Sequence, residues 1–371
     1  MARRRIVLAT VAAVAIVVGT VWVAAWLNRT PDASPPDVEA PPDSGASLLL
    51  GLTDERGSLV SIALVASHSV EESRLVLFPP SLAAVLPGYG ERDLADAVLF
   101  GGPDLLRLTI ANLLGIRIDS VGVADVGAFA ASVGGPISVD LTKPLVVSDA
   151  GGETVAYGQG VAERSTEDLK RLLSEQGTGD QLALLVRQSA VWEAVFAAAA
   201  IDGVVLDGLL ASVEQSSDVA YQAMSTAVVA DPLLVSAVPT NRVVGVGPST
   251  ERYTVSTEEG AAFVLESFDY LQLADEPRLR IEILNGNGLV GTTAPVARVL
   301  IEAGYRVVFT DNADRQDYET SRLIAQGSEH QSAAVAIQRL LGTGEVFLEQ
   351  RQPSGVVDLT IIVGSDLAVQ G

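Results

Sequence analysis

Apolar residues are distributed in distinct ways along this chain. Ile6–Leu27, IVLATVAAVAIVVGTVWVAAWL, is an unbroken apolar run without a charge. At about 1.5 Å per residue a helix over it reaches roughly 33 Å, enough for a hydrocarbon core of about 30 Å. Asn28–Ser44 holds Pro31, Pro35, Pro36, Pro41 and Pro42 with Asp32, Asp37, Glu39 and Asp43 between them, a pattern that stays extended and solvated. From Ala46 the apolar residues return in short blocks. Ala46–Gly51, Val60–Ser67 and Arg74–Phe78 read as strands, the last closed by Pro79-Pro80. Leu105–Leu114 has helical periodicity and Gly115 as its stop. Val121–Val126 and Ile137–Leu141 read as strands. Thr166–Ser174, with Thr166-Glu167-Asp168 as its N-terminal signal, Gln181–Ala200, Asp202–Val213 and Val219–Val229 read as helices. Asn241–Phe268 is mixed and acidic, and Asp275-Glu276-Pro277 marks a boundary.

After that boundary the period changes again. Leu279–Leu284, Tyr305–Thr310, Ser321–Ala325, Glu345–Glu349 and Val356–Val363 read as strands, Ala294–Ala303 and Gln331–Leu341 as helices ended by Gly304 and Gly342. The order β-α-β-β-α-β-β predicts both helices on one face of a mixed sheet. The chain is therefore read as α/β. A cytoplasmic N-terminus (1–5) leads to a transmembrane helix (6–27) and a linker (28–45). An α/β domain (46–277) and a small β-α-β-β-α-β-β domain (278–371), expected to fold alone, follow.

Arg3, Arg4 and Arg5 precede the apolar run, which predicts the N-terminus inside and everything after Leu27 outside the membrane. Trp22 and Trp26 suit the outer headgroup boundary. A cleaved signal peptide has a shorter apolar core, about 7–15 residues, and a small-x-small site. The run here ends in Trp26-Leu27, so it is read as a retained signal-anchor.

Charge sharpens this picture. All 46 acidic residues follow the anchor, but only 20 of the 24 basic ones do, because Arg3, Arg4, Arg5 and Arg29 precede or border it. The exported part thus carries −26, a field that repels nucleic acid. The chain has no Cys, which excludes disulfides and thiol catalysis. His68 and His330 are its only histidines, and neither has a ligand-like spacing, so a histidine zinc site or a Ser-His-Asp triad has no support. Lys143 and Lys170 stand against 22 arginines, a bias that suggests a GC-rich bacterial genome.

One motif invites a cofactor. Gly286-Asn287-Gly288-Leu289-Val290-Gly291 is a literal G-x-G-x-x-G between a strand and a helix, with Asp311 at the end of the next strand. A dinucleotide site is rejected, because no third parallel βα repeat follows and the unit lies outside the membrane. Asn285, Gly286, Gly288 and Gly291 remain candidates for a ligand-binding loop, and no cofactor is expected.

The stretch IEILNGNGLVGTTAPVARVLIEAGYRVVFTDNAD, followed by SRLIAQGSEHQSAAVAIQRLLG and VDLTIIVGSD, resembles the LytR C-terminal domain. Asn285-Gly286, Gly291, Gly304-Tyr305 and Gly364-Ser365-Asp366 carry the resemblance. That domain occurs in the LytR-CpsA-Psr (LCP) family of membrane-anchored cell-envelope proteins. SRLVLFPPSLAAVLPGYGERDLADAVLFGGPDLLRLTIANLLGIRID, GPISVDLTKPLVV and Val186-Arg187-Gln188 resemble the family's catalytic domain in degenerate form. The resemblance implies transfer of a glycopolymer from a polyprenyl-pyrophosphate carrier to peptidoglycan, with carboxylates on a divalent metal and arginines on the pyrophosphate. Such chemistry is mostly charge stabilisation. The family's arginine and aspartate positions, however, are occupied here by Ser58, Leu59, Pro80 and Ser81.

Asp54, Arg56 and Arg187 are the candidates for a residual site, with magnesium implied only if they act. Arg187 is otherwise read as a structural residue paired with a carboxylate. Asp93 and Asp96 are read as sharing a solvated helical face. The expected function is a non-catalytic, extracytoplasmic LCP-like protein, a pseudoenzyme of the cell wall, that binds envelope glycan, polyprenyl lipid or a protein partner. The alternative is the glycopolymer phosphotransferase.

Overall fold

The computed structural model describes residues 45–69, 72–213, 218–230, 233–244, 251–349 and 356–367. The expected anchor and linker lie outside the described residues. From Ser44 onward the chain forms one unit.

The apolar blocks that open this unit are β1 (Ala46–Thr53), β2 (Leu59–Ser69) and β3 (Glu72–Phe78). Almost every residue of β1 is buried, as expected of a strand covered on both faces. Its side chains alternate between two cores, Leu48, Leu50 and Leu52 entering one and Leu49 the other. A hairpin of β4 (Ala83–Leu86) and β5 (Gly90–Asp93) follows. The helix predicted from Leu105 is present, and a short helical segment precedes it: α1 spans Asp96–Leu114, interrupted by a kink at Gly101 (φ −151°, ψ 19°) and Gly102 (φ 71°, ψ −169°), neither of which is helical, ahead of Pro103. Gly115 ends it in a left-handed conformation, φ 73°. Asp93 lies in β5 and pairs with Arg252, so it shares no helical face with Asp96, which opens α1.

Next come β6 (Ser120–Asp125), α2 (Val126–Ser132), β7 (Ile137–Leu141), β8 (Leu145–Asp149), β9 (Gly152–Tyr157) and β10 (Gly160–Arg164). Helices α3 (Thr166–Ser174), α4 (Gln181–Ile201), α5 (Gly203–Ser212) and α6 (Asp218–Val229) then run in succession. The cap of α3 is Ser165, one residue before the predicted signal. Its hydroxyl accepts from Asp168 N while the Asp168 carboxylate accepts from Ser165 N, a reciprocal capping box. Strands β11 (Leu234–Ala237), β12 (Asn241–Val244) and β13 (Glu251–Thr254) lead to α7 (Thr257–Ser267).

The first sheet has the order β11-β3-β2-β1-β6. Strands β1, β2 and β3 are antiparallel neighbours, and β6 and β11 add in parallel at the edges. Helices α2 to α6 pack on one face, with Phe129, Leu172, Trp192, Leu209 and Met224 in that core.

The remainder comprises β14 (Arg280–Asn285), α8 (Thr293–Glu302), β15 (Arg306–Asn312), β16 (Arg322–Gln326), α9 (Gln331–Leu341), β17 (Glu345–Glu349) and β18 (Leu359–Val363). This is the predicted order. Its sheet, β15-β14-β18-β16-β17, is mixed: β16 runs antiparallel to β18 and the other pairs are parallel. Ile281, Ile283, Leu323 and Ile361 from the sheet meet Val296, Leu300, Ala334 and Ile337 from α8 and α9 in one cluster.

That cluster also takes in Leu106, Ile110 and Leu114 of α1, Val264 of α7 and Leu49 of β1. One apolar core therefore runs from the other face of the first sheet into the second. Asn112, 4% exposed on α1, joins the two by a paired contact. Its Nδ2 donates to Val307 O at 2.8 Å, and its Oδ1 accepts from Val307 N at 2.9 Å.

Charged contacts frame this junction. Asp104 accepts from Arg107 at 2.9 Å and pairs with Arg298, while Arg107 reaches Glu302 at 3.0 Å. Burial acts to raise the Asp104 pKa, but hydrogen bonds from Arg298 and Arg107 outweigh it and hold the carboxyl below its ordinary value. Arg278 is buried against the end of α1 and pairs with Glu276 at 2.7 Å. A Cβ at Gly115 would lie 2.8 Å from its guanidinium, so the glycine serves both the left-handed cap and this close approach.

Candidate functional site

Helix α4 begins at Asp180, whose carboxylate accepts from Ala183 N at 2.8 Å. Two turns in, Arg187 is 2% exposed. Its Nη2 donates to Glu175 O at 2.9 Å and to Gln176 O at 2.8 Å, the carbonyls just past the end of α3. The expected carboxylate partner is corrected: the Glu175 side chain pairs with Arg171, and Arg187 binds main chain. This follows from α3 leaving its last carbonyls without intrahelical donors. Burial pushes the Arg187 pKa down, opposed by the Glu175 charge. Gln188 completes the clamp, donating to Val60 O at 2.8 Å and Leu173 O at 2.6 Å.

Asp54 lies in the β1–β2 turn and is used locally. Its Oδ1 accepts from Arg56 N and Ser58 N, each at 2.9 Å. Arg56 is exposed and makes no ion pair among the described residues. Glu55 reaches across to Lys170 of α3 at 2.9 Å. Among the described residues no hydrogen bond or ion pair joins Arg187 to Asp54 or Arg56. The loop after β3 is also neutral. Pro80 is buried, and Ser81 donates from both N and Oγ to Gln181 Oε1, at 3.2 and 2.7 Å. Among the described residues no three His, Cys, Asp or Glu side chains are grouped to hold a metal.

The glycine-rich loop closes on itself. Asn285 Oδ1 accepts from Asn287 N and Gly288 N, and Asn285 Nδ2 donates to Leu289 O. Asn287 Oδ1 accepts from Leu289 N, and Asn287 Nδ2 donates to Gly364 O. The main-chain N–H groups of Asn287, Gly288 and Leu289 are thus taken by side chains of the loop. Gly286 packs under Tyr318 and Ile362, whose atoms would lie 2.9 and 2.6 Å from a Cβ there. Gly288 has φ 73° beneath Gln316. Gly291 lines a cleft of about 310 Å3 with Tyr89, Asp104, Leu105 and Arg298.

A groove of about 660 Å3 opens between α4 and α6. Phe196, Ala197, Ala200, Val228, Val229 and Leu233 line it, with Glu193 as its acid. Burial, and then the nearby Asp140 charge, raise the Glu193 pKa. Helix α4 is apolar along most of its length, and that alone gives it the length and composition of a membrane span; here it packs on the first sheet. Sequence reasoning missed this groove, because the small residues of α4 that form its wall look like core residues of any helix. It also missed Asn112, and it missed the partner of Ser81, because the groups they bind stand 195 and 100 residues away.

Comparison with known proteins follows from this geometry. Residues 278–367 match the family of the LytR cell envelope-related transcriptional attenuator. The TagV structure of B. subtilis aligns with 62% of this chain and 98% of its own, at 16% identity and a TM-score of 0.50. TagT bound to LIIa-WTA aligns with 61% of this chain and 91% of its own, at 18% identity and a TM-score of 0.51. A LytR-Csp2A-Psr enzyme from Actinomyces oris aligns with 62% of this chain at 22% identity and a TM-score of 0.47. No curated protein matches the chain. The expected resemblance therefore stands: a LytR C-terminal domain follows a part with the fold of TagV and TagT.

Proposed function

We propose that this chain, a LytR C-terminal domain joined to a TagV-like fold, is a membrane-anchored extracytoplasmic protein that binds a component of the cell envelope without transferring it. Residues 6–27 anchor it, 28–45 space it from the membrane, and 46–277 and 278–371 act outside. The observation that supports binding over transfer is the state of Arg187. A guanidinium held on two main-chain carbonyls inside a helix pair is not offered to a pyrophosphate. Asp54 is closed into its turn, and the loop after β3 has Ser81 where a charge is needed. Preorganised charge at the developing anion is usually the largest part of catalysis.

The α4–α6 groove is the binding element. Its apolar walls and small alanines suit an isoprenoid chain of a polyprenyl carrier, and Glu193 disfavours an anionic head group within it. The fold shared with TagT favours the second reading, glycopolymer transfer with magnesium, in which the same groove would hold the substrate tail.

A fluorescent polyprenyl phosphate titrated into the full-length protein in detergent tests the binding reading. Ala197→Trp, an exposed position on the groove wall, is expected to weaken binding at least about tenfold, the loss of ~1.4 kcal/mol. Equal binding by Ala197→Trp would move the lipid elsewhere.

A further inference from the structure

The residues that carry the resemblance in the C-terminal part converge on one loop. Tyr318 N donates to Gly286 O and Ser365 N donates to Tyr318 O, both at 2.9 Å, and Asp366 N donates to Glu319 O at 3.2 Å. Asp366 Oδ1 accepts from Ser321 N and Oγ, at 2.9 and 2.6 Å, and its Oδ2 accepts from Thr343 Oγ1 at 2.8 Å. The Tyr318 hydroxyl donates to Asp314 at 2.8 Å. Gly286 leaves room for the Tyr318 ring. The loop between β15 and β16 is therefore held rigidly, and it walls a cavity of about 330 Å3.

Two guanidinium groups stand over that ring, Arg315 at 4.4 Å and Arg322 at 5.1 Å, and Arg322 also lies 5.2 Å from the Phe347 ring. The two rings hold the Arg322 guanidinium between them without using its N–H groups. It makes no hydrogen bond or ion pair from its side chain among the described residues. Asp317, Glu319 and Glu345 line the same cavity. Asp317 is paired with Arg315 at 3.4 Å, so Arg322 faces the exposed carboxylates of Glu319 and Glu345; a doubly charged phosphate would meet both, whereas a ligand with both signs of charge satisfies the arginine and the acids.

The geometry points to a binding site for a short peptide that carries a free carboxylate and a primary ammonium. Arg322 takes the carboxylate through its planar N–H edge, and Glu345 with Glu319 takes the ammonium. The site is separate from the α4–α6 groove and does not depend on what occupies that groove.

Calorimetry on the full-length protein in detergent, with acetyl-Ala-Lys as the probe, tests it. The dipeptide is expected to bind, and its C-terminal amide and its side-chain-acetylated form to bind at least about tenfold more weakly, as loss of a charge-assisted hydrogen bond entails. Arg322→Ala is expected to abolish binding. Arg322→Lys, which keeps the charge but not the planar fork, is expected to weaken it about tenfold with an unchanged melting temperature. Silence up to millimolar dipeptide, equal binding of the blocked forms, indifference to both Arg322 variants, or tighter binding of inorganic phosphate would each overturn the assignment.

Discussion

Replacing Arg187 by alanine is expected to destabilise the fold by about 3–4 kcal/mol, because hydrogen bonds to a charged group contribute about 1.5–3 kcal/mol each and the packing of a buried side chain is lost with them. The two carbonyls concerned, of Glu175 and Gln176, follow α3 and have Arg187 as donor. The side chain is itself buried, and the next residue, Gln188, ties down the carbonyls of Val60 and Leu173. Arg187→Met keeps most of the volume and none of the donors, so it should recover only the packing share. The denaturation midpoint in urea reads the effect, at unchanged slope if both end states keep their compactness. A loss below about 1 kcal/mol, the size of an ordinary surface substitution, would mean that the clamp is incidental. Arg187 would then be free for a ligand.

Asn112→Ala is expected to have the next largest effect, about 2–4 kcal/mol, since it leaves a buried N–H and a buried C=O of Val307 without partners. Its expected consequence is also cooperative. Asn112 stands where α1 meets β15, in the core that both sheets share. Loosening that contact should separate unfolding of the C-terminal sheet from unfolding of the first, so hydrogen exchange in β14 and β15 should accelerate ahead of β1 and β2. Uniform acceleration of all four strands would show instead that the two parts open only together.

Much of this architecture was legible in the pattern of apolar residues. The run of β1 and the alternation of Leu279–Leu284 mark strands, and Gly115, Gly304 and Gly342 mark helix ends, because each depends on local chemistry alone. The first turns of α1 were not legible. Gly101-Gly102-Pro103 reads as a break and is one, since neither glycine is helical; what the sequence did not show is the short helical segment ahead of it, in which Ala97 is buried. Asp93 and Asp96 were misplaced because Asp93 closes the β4–β5 hairpin, which depends on pairing rather than on local pattern. The candidate site was legible in part. Arg187 stood out through the resemblance of Val186-Arg187-Gln188, but its partners are main-chain carbonyls, which leave no mark in sequence. Gly286, Gly288 and Gly291 were visible as a motif, whereas the use of the Asn285 and Asn287 side chains to bind the main-chain N–H groups of Asn287, Gly288 and Leu289 was not. Arg322 gave no signal at all, since its stacking on Tyr318 and Phe347 depends on strand register.

The central claim is that the exported part binds an envelope component and does not transfer it. The most direct test incubates the purified full-length protein in detergent with a polyprenyl-pyrophosphate-linked sugar, peptidoglycan acceptor and magnesium or manganese, and follows release of the polyprenyl phosphate. The account predicts retention of the lipid on the protein with no metal-dependent release above the protein-free rate. Metal-dependent turnover by the wild-type chain, reduced in a folded Asp54→Asn or Arg56→Ala variant, would contradict it and establish the transferase.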